Sequence, residues 1–235
     1  MISAFSVLSG GNLLNDINDI EIDRKIHPER PIASGKVSIS TARFLFVLLW
    51  TIPIILTALV SRNGRVLLPL MIIVASMGII SAYEIFFKKE GLAGNITVSV
   101  LTALPFIFGS SYFGNPGPVV LTLALMAALI NLSRELRKDI EDMEGDLGYR
   151  HSLPVKSGRD FTGSIASGIC YVAIFISLLL IPFLDLNPVY IVVVMIADFF
   201  FLLSSLPGRS PSSSQRDLKV GMILAMIAFI SISFV

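Results

Sequence analysis

Charge and cysteine are both scarce in this sequence of 235 residues. The one cysteine, Cys170, excludes an intramolecular disulfide. It lies inside an apolar run without a polar neighbour to lower its pKa, so it reads as packing rather than a nucleophile. Charged residues make up 15% of the chain and hydrophobic ones 54%. A soluble domain carries about 25% charged residues, so this chain is too apolar for water. A net charge of +1 leaves no unbalanced basic surface, and no nucleic acid partner is expected. The first residues carry no positive charge, so a cleavable signal peptide is not expected. The period-two alternation of a membrane β-barrel is missing as well.

What is present is a series of apolar runs, each near the ~20 residues a membrane-spanning helix needs. They fall near 1–22, 41–61, 65–86, 95–113, 117–140, 162–182, 187–206 and 218–235. The expected fold is an all-α polytopic membrane protein of about eight transmembrane helices, forming a single domain over 1–235. With the first helix running inward, the inner loops fall near 23–43, 86–94, 134–161 and 207–219. Those loops hold Arg24, Lys25, Arg30, Lys36, Arg43, Lys88, Lys89, Arg134, Arg137, Lys138, Arg150, Lys156, Arg159, Arg209, Arg216 and Lys219. Of the 18 basic residues only Arg62 and Arg65 lie outside. Lys and Arg favour the cytoplasmic side, so the inner loops are expected to face the cytoplasm. The first span is convincingly apolar only over residues 1–8 before Ser9-Gly10-Gly11-Asn12. Such a segment spans poorly beside lipid and is expected to be enclosed by other helices.

Two acidic stretches stand out, NLLNDINDIEIDRK and RELRKDIEDMEGD. Asp16, Asp19 and Asp23 are spaced i, i+3, i+7, and Asp139, Asp142 and Asp146 repeat the spacing. On a helix each triad falls within about 60° of arc. Asn12 and Asn15 border the first face; Glu135 matches Asn12 one turn before the second. Both helices are read as running inward, which is consistent with a parallel internal repeat. Charge at membrane depth is expensive and is usually functional. Carboxylates sharing a face need a cation between them, and oxygen ligands of this kind suit Mg²⁺ or Mn²⁺, which commonly share phosphate oxygens. The plainer reading is two solvated, charge-rich helix ends.

The basic residues fit an anion. Arg24, Lys25, His27 and Arg30 follow the first set; Arg134, Arg137, Lys138, Arg150 and His151 flank the second. Lys88 and Lys89 end a third helix, after Tyr83. Arg and Lys supply donors to phosphate oxygens, although for any one of them positive-inside anchoring is the simpler account. A metal diphosphate at the mouth of an apolar chamber suggests prenyl transfer. The metal would neutralise the departing diphosphate, and a dry cavity would keep water from an allylic cation.

Asn15-Asp16-x-x-Asp19-x-x-x-Asp23 followed by HPERPIASGKVS resembles the first signature of the UbiA superfamily of intramembrane prenyltransferases. Asp139-x-x-Asp142-x-x-x-Asp146 followed by GYRHSLPVKSG resembles the second. YEIFFKKEGLAGNITVSVLTALPFIFG, DIEDMEGD and LKVGMILAMIAF are most similar to the archaeal branch that makes digeranylgeranylglyceryl phosphate. The resemblance implies a helical bundle around a lipid-facing cavity, with cytoplasmic cap loops and a multi-pass place in the cell membrane. It implies Mg²⁺, or Mn²⁺, held by Asn15, Asp19 and Asp23 and by Asp139, Asp142 and Asp146, with Asp16 on the metal or one layer behind it. Asp19, Asp23, Asp142 and Asp146 would carry the catalytic burden. Arg30, Lys88 and Tyr83 would bind the diphosphate, and Lys89, Arg134, Lys138 and Arg150 would join them at the substrates. The implied reaction moves a geranylgeranyl group from a prenyl diphosphate onto geranylgeranylglyceryl phosphate, a lipid-phosphate acceptor, forming an ether bond. Family members usually have nine helices, one of them before the first signature, so a preceding helix is expected to be missing here.

Prenylation of an aromatic quinone precursor is the alternative within the same chemistry. The acceptor discriminates, because a phosphate-bearing one needs further bases, for which Lys89, Arg134, Arg137 and Lys138 are available. A cation-coupled transporter is the distant alternative, disfavoured because coupling ions usually bind near the midplane. Asp198, within VVVMIADFFFLLSS, reads either as a group orienting the acceptor hydroxyl or as a carboxyl paired in the bundle interior.

Overall fold

The computed structural model describes residues 2–60, 66–148, 150–181 and 188–232. Arg62 and Arg65 lie outside the described residues, as does Tyr149. All regular structure among the described residues is helical. In chain order the helices are α1 (Ile2–Asn18), α2 (Ile20–Ile26), α3 (Ile39–Val60), α4 (Leu67–Ala82), α5 (Leu92–Ser111), α6 (Pro118–Asp146), α7 (Leu153–Ser157), α8 (Arg159–Leu180), α9 (Pro188–Ser204) and α10 (Pro211–Ile232). A π-turn, Tyr83–Phe87, continues α4. Five helices, α3, α4 with its π-turn, α5, α6 and α8, are long and apolar enough to cross a membrane. The chain is a multi-pass membrane protein, and exposed Phe44, Leu59, Phe175 and Phe199 suit hydrocarbon rather than water.

Local chemistry sets the helix ends. The Ser38 hydroxyl accepts a hydrogen bond from the Thr41 amide (3.1 Å), and the Ser210 hydroxyl one from the Ser213 amide (3.2 Å). These satisfy amides that the first turns of α3 and α10 leave open. Proline opens α6, α9 and α10, where its missing N–H costs nothing.

Three boundaries differ most from the sequence reading, and one is the span read as 218–235, which begins at Pro211 as α10, a proline-led start that makes most of the loop read as 207–219 helical. The first span, read as 1–22, divides at Asp19 into α1 and α2. Asp19 sits at φ −89°, ψ 5°, while the Asp19 and Asp23 amides keep their i−4 partners at 2.9 and 2.8 Å. Asn18 and Asp19 are weak helix formers, and the bridge conformation is open to them. The span read as 117–140 continues as one helix to Asp146, so its charged end is helical.

The chain forms two compact units. The first comprises Met1–Lys88 with Leu104–Pro116; the second comprises Lys89–Ala103 with Gly117–Val235. The first is built on Val7, Ile73 and Met77, flanked by Trp50, Ile80 and Phe108. The second centres on Ile130, Cys170, Ala173, Ile174, Ala197, Phe201 and Leu218, so the thiol is core, as the sequence suggested. Small residues let membrane helices approach closely, and Gly221 of α10 lies against the Phe201 ring of α9. A Cβ at 221 would collide with that ring and stand 3.1 Å from the Ala197 carbonyl oxygen. Gly221→Ala is therefore expected to destabilise the second unit by about 1–3 kcal/mol, the usual cost of overpacking. A lowered thermal midpoint in detergent would register it.

Candidate functional site

The first acidic set lies in the first unit, where α1 and α2 meet the π-turn. Asp23 is buried in α2, and Arg30 Nη1, from the loop beyond, donates to both its carboxylate oxygens at 2.9 and 2.8 Å. Arg30 also stands 3.6 Å from Asp16 Oδ1. The hydrogen bond to Asp23 is the main reason its pKa rises above the ordinary arginine value. Lys88 Nζ donates to Asp19 Oδ2 (2.5 Å) and to Glu84 Oε2 (3.1 Å). Burial alone would lower the lysine's pKa. The bonds to Asp19 and Glu84 outweigh it and raise the pKa, so Lys88 stays an ammonium. Asn15 Nδ2 donates to Glu84 Oε1 at 3.0 Å. Tyr83 opens the π-turn, in which the Lys88 amide bonds the Tyr83 carbonyl at 2.8 Å, five residues back. Such π-turns are frequent at functional sites.

The second set lies in the second unit, along α6. Asp139 is almost wholly buried: Asn95 Nδ2 of α5 donates to its Oδ2 at 2.6 Å. Its Oδ1 lies 3.2 Å from Arg150 Nη1, within ion-pair reach but off hydrogen-bond alignment. Arg150 Nη2 donates to Asn95 Oδ1 at 3.3 Å, closing a three-residue network. Asp142 is exposed one turn on. Asp146 ends the helix, its Oδ2 buried without a hydrogen-bond partner. Arg150 is placed by its amide, which bonds the Asp146 carbonyl (2.9 Å), and the next residue, His151, bonds the Lys89 carbonyl through its own amide (3.1 Å). Gly91 makes that approach feasible: its φ is +45°, and a Cβ there would strike the His151 carbonyl.

Other expected residues are engaged differently. Arg134 holds Glu135 and donates through Nε to Asn131 Oδ1 at 3.3 Å; Lys138 is exposed. Arg137 turns away from Asp139. It donates to the hydroxyls of Ser167 (3.0 Å), Ser205 (3.2 Å) and Ser214 (3.4 Å), and two of these pass hydrogen bonds on to Phe201 and Ser204 carbonyls at the end of α9. Its charge thus meets a helix C-terminus, a favourable place for a cation. His27 lies beside Glu29, 3.5 Å away in the open. Asp198 is buried in α9 with Oδ2 unpartnered, beside an open apolar groove lined by Ile174, Leu178, Met195, Phe199 and Leu202.

Two residues of these networks escaped the sequence reading, Glu84 and Asn95. Each had a signal. Glu84 is a carboxylate at the end of an apolar helix, four residues before a lysine, and Asn95 is an amide opening an apolar run.

The donors fit a hard divalent ion. Among the described residues no three His, Cys, Asp or Glu side chains converge on one point. Mg²⁺ does not require it, since it keeps water and binds through one or two carboxylates together with phosphate oxygens. The buried, unpartnered oxygen of Asp146 is a donor with nothing else to serve.

Comparison with known proteins agrees with this chemistry. The chain is 34% identical to the digeranylgeranylglyceryl phosphate synthase of Methanobrevibacter smithii over 238 residues, covering 97% of this chain and 84% of that protein. It is 36% identical to the synthase of Methanosarcina mazei, covering 97% and 78%. A solved structure of a digeranylgeranylglyceryl phosphate synthase in membranes superposes with a TM-score of 0.80 at 29% identity, covering 98% of this chain and 82% of that one. A UbiA homologue from Aeropyrum pernix K1, 18% identical, shares the fold with a TM-score of 0.75 over 96% and 85%. The family model described as UbiA prenyltransferase matches residues 1–231, and with both acidic sets in place along that length, the chain belongs to the UbiA prenyltransferase family.

Proposed function

We propose that the chain transfers a geranylgeranyl group from geranylgeranyl diphosphate to the free hydroxyl of geranylgeranylglyceryl phosphate, making the second ether bond of an archaeal membrane lipid. The observation that carries this reading is its similarity, over 97% of the chain, to synthases of that product. The family match over residues 1–231 spans every aspartate of both sets.

Asn15, Asp16, Asp19 and Asp23 on one hand, and Asp139, Asp142 and Asp146 on the other, offer oxygen donors for Mg²⁺, with Mn²⁺ meeting the same requirement. Bound Mg²⁺ neutralises charge that builds on a departing diphosphate. Arg30, Lys88 and Tyr83 bind diphosphate oxygens. Lys89, Arg134 and Lys138 serve the acceptor phosphate and Arg150 joins them at the substrates, whereas Arg137, also read for the acceptor, is held by Ser167 and Ser205 instead. The allylic C1–O bond breaks and its electron pair leaves with diphosphate. The acceptor oxygen bonds C1, and its proton is released. Apolar helix faces hold both isoprenoid chains and exclude water from the cation. The helices α1, α3, α4, α5, α6, α8, α9 and α10 all cross the membrane, and the reaction runs at the cytoplasmic face, the side that basic loops favour.

The test is an assay of the purified chain in detergent with geranylgeranyl diphosphate, geranylgeranylglyceryl phosphate and Mg²⁺, with the diether read by mass spectrometry. Product that disappears with EDTA is expected. Product formed only with a hydroxybenzoate acceptor would instead assign the chain to aromatic prenylation.

A further inference from the structure

Glu84 is nearly buried, at 5% side-chain exposure, where an apolar helix gives way to the basic pair Lys88 and Lys89. A carboxylate in such a place is costly unless charge and hydrogen bonds compensate it. Both of its oxygens are used, and for different purposes. Oε1 accepts from the Asn15 amide at 3.0 Å, and Oε2 accepts from the Lys88 ammonium at 3.1 Å. The π-turn carries Glu84, which meets Asn15 across 69 residues of sequence and Lys88 one turn further along.

An asparagine side chain has two ends of similar shape and opposite polarity. Only the carbonyl end can bind a cation; the NH₂ end repels one. An acceptor placed on the NH₂ end therefore settles which end faces away from it. Lys88 poses a second problem. Its ammonium also sits on Asp19 Oδ2 at 2.5 Å, where it competes with any metal seeking that carboxylate. A second acceptor keeps the lysine anchored when Asp19 turns to a metal.

We infer that Glu84 is the positioning residue of the first acidic set: it presents the Asn15 carbonyl oxygen to a divalent cation and anchors Lys88 when that cation takes Asp19. The inference rests on the metal-dependent prenyl transfer proposed above, but its test is read without turnover. Residues that hold the ligands of a metal typically change metal affinity by roughly 10–100-fold when replaced.

Glu84→Gln keeps size and shape but leaves one acceptor oxygen for two donors. The new NH₂ must then oppose either Asn15 or Lys88. Mn²⁺ binding to the detergent-solubilised chain, followed by the loss of the free-ion electron paramagnetic resonance signal, is expected to weaken by roughly 10–100-fold. The double variant Asn15→Asp with Glu84→Gln reverses the polarity of the pair. The introduced amide then donates to a carboxylate whose ends are both oxygen, while its carbonyl oxygen still accepts from Lys88. Mn²⁺ affinity is expected to return and to exceed that of Asn15→Asp alone, in which the new carboxylate opposes Glu84; a purely structural role for Glu84 would not make Glu84→Gln harmful beside asparagine and helpful beside aspartate. Unchanged affinity in Glu84→Gln overturns the inference, and so does an equal loss in the single and double variants. A wild-type chain that binds no Mn²⁺ overturns it together with the metal reading. A wild-type chain that binds Mn²⁺ but forms no diether overturns the proposed reaction alone, while the affinity pattern of the variants still upholds Glu84.

Discussion

Asp142→Ala should lower diether formation by roughly 10²–10³-fold or more, on the scale of losing one group that stabilises transition-state charge, and should leave the thermal midpoint where it was. The contrast follows from where the side chain lies. Asp142 is exposed on α6, one turn beyond a buried aspartate and one turn before the end of the helix. A solvent-facing carboxylate at such a position does little for stability, and surface substitutions usually stay within about 0.5 kcal/mol. A large loss of activity at constant stability would mean that the carboxylate acts on the reactants. Asp142→Asn would refine the result. It keeps an oxygen but removes the charge, so partial activity restored by raised Mg²⁺ would mark a weakened metal ligand. Activity close to wild type in Asp142→Ala would remove this residue from the metal assignment.

The spacing that singled out Asp142 was visible in the sequence because it depends on one helix alone. Three aspartates at i, i+3, i+7 share a face whatever surrounds them, and α6 remains helical through Asp146. The long apolar helices were legible for a similar reason: the run read as 41–61 is α3, Ile39–Val60, displaced by about one turn or less. The remainder was hidden where it depends on contacts distant in sequence. Asn95 and Asp139 are 44 residues apart, and Asn15 and Glu84 are 69 apart. No local pattern says that an amide at one position will meet a carboxylate at the other. The break at Asp19 was hidden too, since its amide and that of Asp23 still keep i−4 bonds and only the dihedral angles betray the bend. Arg137 shows the opposite error. Sequence proximity to Asp139 suggested a shared task, yet two residues along a helix turn a side chain by about 200°, and Arg137 faces serines of α8, of α10 and of the turn that follows α9 instead.

Asp139→Ala is expected to fail in a different way from Asp142→Ala, through the fold. The Asp139 side chain is 1% exposed and Arg150 is 17% exposed, so water relieves little of the charge left behind. Removing one partner of a buried ion pair typically costs about 3–5 kcal/mol because the survivor is stranded. Asn95 would lose the acceptor that its NH₂ meets at 2.6 Å. Asp139→Asn should be milder but still destabilising, since the amide can accept from Asn95 yet cannot balance Arg150. If stranding is the cause, Asp139→Ala combined with Arg150→Ala should be more stable than the sum of the two single losses predicts, as coupled neighbours are. Thermal denaturation in detergent across the four variants and wild type would read this directly. Additive losses would mean that Asp139 and Arg150 stabilise the second unit independently. A double variant more stable than wild type would mean that the ion pair is kept at a net cost, for which a role of Asp139 with the substrates supplies the reason.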